Sequence, residues 1–123
     1  MTNTVNFEQV VGDWRRKNRL FIAQQDICFQ SYINENVLFE DSIDLEGIIN
    51  ELLDFALANC QDKEALLQII FDQLHDSILI IIKFTGNLDV LPFQIAQNSE
   101  KIASFHLEHE SPFEKLLIQI VNS

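Results

Sequence analysis

The side chains in this sequence with the chemistry for phosphotransfer, metal binding or nucleophilic attack are three histidines, two cysteines and a surplus of carboxylates. A phospho-accepting histidine belongs on an exposed helix. His75 instead falls in a polar turn, and His106 and His109 fall in a segment that alternates like a strand, so phosphotransfer is not expected. His106-Leu107-Glu108-His109-Glu110 has the residue types of a metal site. Along a strand, however, His106 and Glu108 share one face while His109 lies on the other, and ligands that diverge do not close around an ion. No metal is expected. Cys28 and Cys60 lack CxxC spacing and are too few for a disulfide scaffold, so both read as buried free thiols in a reducing compartment. No serine has a histidine and an acid at a recognisable spacing, which leaves no hydrolase.

The formal net charge is −11, from 19 acidic residues against eight Lys and Arg. Four of the cations are Arg15, Arg16, Lys17 and Arg19, and the others are scattered at Lys63, Lys83, Lys101 and Lys115. Such a field repels nucleic acid and anionic lipid, so neither is expected as a partner. The basic cluster is either the solvated face of a helix or a docking point for an acidic surface or a phosphate. The opening MTNTVNFEQVV lacks the basic start and apolar run of a signal peptide. The longest apolar run, Ile78 to Ile82, is too short to span a bilayer, so a cytoplasmic location is expected. At 123 residues with 47% hydrophobic content, residues 1–123 fit a single domain with its own core.

The elements that must position these groups follow from spacing. Asn6 caps an N-terminal helix of about residues 7–19, with Phe7, Val10, Val11 and Trp14 as its apolar stripe. Ile27 to Ile33 reads as a strand and Val37 to Phe39 as a short extended piece. Ser42 or Asp44 opens the main helix, whose apolar face is Leu45, Ile48, Ile49, Leu52, Leu53, Ala56 and Leu57. Leu66–Phe71 and Ile78–Phe84 form one hairpin around the polar turn at 72–77. A short helix from Phe93 to Lys101 follows Pro92, and Ala103–Glu108 with Lys115–Val121 forms a second hairpin. This order implies an α/β (α+β) two-layer sandwich, a mixed and mostly antiparallel sheet with helices on one face.

The same order, over about residues 20–121, resembles the histidine-kinase-like ATPase fold of the GHKL superfamily, which includes sensor-kinase catalytic domains and anti-sigma-factor kinases. That family carries a helix motif like E-L-x-x-N-A, in which the acid is the general base of some members and the Asn helps hold Mg²⁺. Here Glu51-Leu52-Leu53-Asp54-Phe55-Ala56 keeps the acid and has Phe55 in place of the Asn. The family's next motif, D-x-G-x-G, uses its Asp to accept a hydrogen bond from the adenine amino group. Here Phe84-Thr85-Gly86-Asn87-Leu88 keeps only the first glycine, and a short 88–92 connection stands in for the glycine-rich lid. The closing SFHLEHESPFEKLLIQIV is similar to the family's last two strands without their glycines.

The resemblance implies a Bergerat-like fold without an ATP lid and a degenerate nucleotide site at Glu51, Phe55, Phe84 and Gly86. Mg²⁺ requires oxygen ligands that a phenyl ring lacks. An adenine amino group buried without its acceptor costs about 1–3 kcal/mol. A pseudo-ATPase is therefore expected, with no catalytic residue, no cofactor and no enzymatic activity.

In the hairpins Leu67, Ile69, Phe71, Leu116, Ile118 and Ile120 can face the helices. That leaves Ile70, Leu117, Val121 and either Leu79 and Ile81 or their neighbours as an apolar patch on the far side. Either the first helix covers the patch, or it is a homodimer or partner interface. The candidate partner-binding residues are thus Trp14, Arg15, Arg16, Arg19, Ile70, Leu79, Ile81, Leu117 and Val121. The function expected is a non-catalytic protein-binding module, an adaptor or regulator in bacterial signalling or transcription control. The alternative is a small acidic inhibitor or immunity-type protein that masks a basic partner surface.

Overall fold

A computed structural model describes residues 4–33, 38–40, 45–60, 65–73, 77–86, 102–110 and 112–121. A short strand β1 (Thr4–Asn6) leads into helix α1 (Phe7–Lys17), and the Asn6 side chain accepts a hydrogen bond from the Gln9 N–H at 3.2 Å. This N-cap satisfies one of the free donors of the first turn. At the other end Asn18 donates to the Trp14 carbonyl twice, from its backbone N–H at 3.1 Å and from Nδ2 at 2.9 Å. The chain then turns into α2 (Arg19–Gln24). Nothing in the spacing announces α2, because a helix is recognised by its buried stripe and no residue of α2 is buried. Asp26, at φ 54°, ends it in a left-handed conformation that a short polar side chain tolerates.

The main sheet has the order β2 (Cys28–Ile33), β4 (Leu66–Gln73), β5 (Ser77–Thr85), β7 (Phe113–Val121), β6 (Ile102–Glu110). β2 and β4 run parallel, and helix α3 (Leu45–Ala58) lies between them in the chain as the crossover that parallel neighbours require. The other pairings are antiparallel. β1 pairs separately with β3 (Leu38–Glu40). The strands run somewhat longer than their apolar cores: β4 continues to Gln73, β6 begins at Ile102 and β7 at Phe113. The helix expected over 93–101 and the caps expected at Ser42 or Asp44 lie outside the described residues.

Alternation divides the sheet into two faces. Phe29, Leu67, Ile69, Phe71, Ile78, Ile80, Ile82, Phe84, Leu116, Ile118 and Ile120 are buried on the inner face. Against them pack α1, through Phe7, Val10, Val11 and Trp14, and α3, through Ile49, Leu52, Leu53, Ala56 and Leu57. The Phe7 and Phe71 rings meet at 4.6 Å and those of Trp14 and Phe29 at 5.4 Å. Trp14 Nε1 donates to Asp54 Oδ1 at 2.8 Å, which ties α1 to α3. Each such buried ring contributes about 1.5–3 kcal/mol. The first helix therefore does not cover the outer face, because its aromatic side chains are already spent on the inner one. Cys28 is exposed rather than buried, since it sits on the outward side of the first position of β2.

Trp14 is the sole tryptophan and only 3% exposed. Its fluorescence should be blue-shifted and resist iodide quenching until urea unfolds the chain. Ready quenching in the native state would show α1 undocked.

Candidate functional site

The positions singled out by the motifs meet at the junction between the end of α3 and the end of β5. The last turn of α3 is closed by Asn59, whose Nδ2 donates to the Phe55 carbonyl at 2.8 Å and whose backbone N–H reaches the carbonyls of Phe55 (3.2 Å) and Ala56 (3.1 Å). The next residue, Cys60, forms an isolated antiparallel bridge with Gly86, just past β5. The approach is close: a Cβ at Gly86 would lie 2.2 Å from the Asn59 carbonyl oxygen and 3.0 Å from the Phe84 ring. Gly86 is therefore required by space, not by an unusual φ. On the neighbouring strand the Leu66 N–H donates to Thr85 Oγ1 at 3.0 Å, which fixes the same end of the sheet.

Phe84 points inward beneath this junction and is wholly buried, while Phe55 is half-buried and packs on the same core. Glu51, one turn before Phe55 on α3, is exposed. The four residues singled out from the motifs thus fall on two adjoining elements. Their chemistry is an aromatic floor, a backbone contact and a solvated carboxylate. Burial pushes the Cys60 thiol up to about 11 from 9.0, so it stays protonated at neutral pH.

One feature of this end of the sheet escaped the sequence. Glu114, only 5% exposed, is the cross-strand neighbour of Phe84 and of His109. His109 Nδ1 lies 2.8 Å from Oε1 and 2.6 Å from Oε2, and hydrogen-bond geometry is met at Oε1 alone. The period-two pattern of β7 places position 114 inward, but a carboxylate there reads as an exception that only its histidine partner explains. Among the described residues no group of three or more His, Cys, Asp or Glu could hold a metal ion.

The candidate partner-binding residues divide into three sets. Trp14 is core and presents nothing to a partner, so its place among those candidates is corrected by burial. Arg15, Arg16 and Arg19 are exposed; Arg16 is ion-paired with Asp13, and the Arg15 guanidinium lies 5.6 Å from the centre of the Phe29 ring. Ile70, Ile81 and Leu117 are cross-strand neighbours on the outer face, all partly exposed, in one row with Tyr32 and His106. Leu79 lies in the next row with Asp72 and Gln119. The side chain of Val121 lies outside the described residues. On the other flank the row Gln30, Gln68, Lys83, Lys115 and Glu108 is polar.

No protein-family model and no curated protein matches the sequence. Solved structures do match in fold. The nucleotide-free catalytic domain of histidine kinase ThkA superimposes with a TM-score of 0.81 at 12% identity, over 99% of this chain and 96% of that one. ThkA in complex with the response regulator protein TrrA matches with a TM-score of 0.77 at 11% identity, over 99% of this chain and 42% of that one. The mycobacterial sensor histidine kinase MprB matches with a TM-score of 0.72 at 12% identity, over 98% and 97% of the two chains. The fold is that of histidine-kinase ATPase domains, an open mixed α/β sheet with helices on one face.

Gly86→Ala should lower stability by about 1–3 kcal/mol, because a backbone oxygen rather than a flexible side chain must move. Urea denaturation measures it, and an unchanged midpoint would deny the close approach. In native protein at pH 8 a thiol reagent should modify Cys28 quickly and Cys60 only on unfolding. The unfolded chain binds fewer protons than the folded one between about pH 9 and 11, the interval over which Cys60 is shifted. Stability should therefore fall as pH rises through that window, and Cys60→Ala should flatten this part of the profile.

Proposed function

We propose that this chain is a non-catalytic protein-binding module, an adaptor or regulator in bacterial signalling that uses the frame of a histidine-kinase ATPase domain as a scaffold. One observation carries the reading. At the positions that the motif resemblance gives to an oxygen ligand for Mg²⁺ and a buried acceptor for adenine, the sequence has Phe55 and Phe84, and Phe84 is wholly buried in the core. A ring offers no lone pair to a hard cation. Opening the space under Gly86 would require moving Phe84 out of the core, at about 1.5–3 kcal/mol in lost burial. Glu51 is an exposed carboxylate on the helix surface.

Support for a protein partner comes from the neighbours and from the surface. The matched ThkA structure contains a response regulator, so a domain of this fold is found in a protein complex in signalling. Here the outer row of Ile70, Ile81 and Leu117 with Tyr32 leaves apolar side chains partly in water, the composition of an interface rather than of a solvated sheet face. A cytoplasmic location fits the same reading. No helix among the described residues is long and apolar enough to cross a membrane.

Isothermal titration of concentrated protein with ATP and Mg²⁺ tests the loss of the nucleotide site. No saturable heat is expected. A clear isotherm with a dissociation constant in the micromolar range would overturn the pseudo-ATPase reading.

A further inference from the structure

The α1–α2 corner differs from the rest of the molecule in charge and in exposed apolar surface. Residues 7–26 hold four cations against three acids, in a chain of net charge −11. Arg16 is paired with Asp13, and among the described residues no carboxylate lies within ion-pair distance of Arg15, Lys17 or Arg19. Between the end of α1, α2 and the start of β2 is a groove of about 550 Å³. Arg15, Arg19 and one carboxylate, Asp26, line it together with Ile22, Ala23, Ile27 and Cys28. On the same short helix, outside the groove's lining, Leu20 is 71% exposed and Phe21 45% exposed. These are two of the three large hydrophobic side chains that the described surface exposes. No residue of α2 is fully buried, and of its side chains Ile22 packs against the core.

We infer that this corner docks an acidic amphipathic segment of a partner protein. Its apolar side chains cover Leu20 and Phe21 and enter the groove, while its carboxylates meet Arg15 and Arg19. The inference rests on the protein-binding reading above and gives it a surface and a partner chemistry. Arginine at the rim of an apolar hollow, with exposed apolar side chains on the same helix, is the composition of an interface hot spot, and opposite charge at its rim sets orientation and association rate. Guanidinium groups engage carboxylates through two parallel hydrogen bonds, which a helix or strand edge bearing Asp or Glu supplies. A membrane fits less well, because the acidic remainder of the chain would be drawn towards the same anionic surface and repelled. A nucleic acid is disfavoured for the same reason.

The test is a random peptide library displayed on phage, panned against the whole chain and in parallel against Arg15→Glu with Arg19→Glu and against Leu20→Ser with Phe21→Ser. All four positions are exposed, and circular dichroism should show both variants folded with the parent's melting temperature. The expected consensus is rich in Asp and Glu, with Leu, Phe or Trp at helical or alternating spacing. A synthetic peptide of that consensus should lose about tenfold or more in affinity on either variant and weaken as salt is raised. No enrichment, a basic or uncharged consensus, or a consensus retained on both variants would overturn the inference. So would sedimentation with phosphatidylcholine–phosphatidylserine vesicles that depends on Leu20 and Phe21, which would assign the corner to lipid. Nucleotide binding by calorimetry would sink the pseudo-ATPase reading and leave the peptide result intact, so the two failures are distinguishable.

Discussion

The end of α3 lies so close to the end of β5 that only a hydrogen fits between them at Gly86, and the rest of the arrangement follows from that contact. The Cys60–Gly86 bridge sets the helix on the sheet, and the Asn59 carbonyl above Gly86 leaves no room for a side chain. With the helix held there, Leu52, Leu53, Ala56 and Leu57 join Ile80, Ile82 and Phe84 in one buried apolar cluster. α1 extends this layer towards β2 through Trp14, whose indole is clamped between the Phe29 ring and the Asp54 carboxylate. The fold is thus a sheet sealed on one side by two helices and open on the other among the described residues.

That sealing changes what the junction can do. In a site that takes a nucleotide and a metal, polar atoms must line the space between helix and sheet. Here the atoms nearest the contact belong to Phe84 and to the main chain, and a hydrophobic floor rewards exclusion of water rather than capture of an ion. The carboxylates of the region are committed elsewhere or solvated: Asp54 to Trp14, Glu114 to His109, and Glu51 to water. Among the described residues, the surfaces that the proposed partners would meet are the apolar row across the outer face of the sheet and the corner at α1–α2. A scaffold whose interior is complete can vary such surfaces without disturbing its core.

Much of the frame was legible in the sequence. The stripe from Phe7 to Trp14, the broad apolar face of α3 and the alternation in β4, β5 and β7 are strong periodic signals, because each is set by burial against the same core. The inward set Leu67, Ile69, Phe71, Leu116, Ile118 and Ile120 is buried as alternation requires, and Leu79 and Ile81 face outward. What escaped has a common cause: α2, β1 and the Glu114–His109 pair are defined by contacts distant in sequence or by exposure, and neither leaves a periodic trace. Cys28 shows the same limit, since the outward side of a strand's first residue is fixed only by register with β4. Of the site, Phe55, Phe84 and Gly86 could be picked out by motif position, but the Asn59 carbonyl that makes Gly86 necessary is visible only in three dimensions.

In the proposed reading the junction of α3 and β5 takes no nucleotide. The most direct measurement is a ¹H–¹⁵N correlation spectrum followed as Mg²⁺ and ATP are raised to millimolar levels, with the Phe55, Phe84 and Gly86 amides assigned. These three signals should stay in place. A saturable shift confined to them would contradict that reading and restore the junction as a nucleotide site.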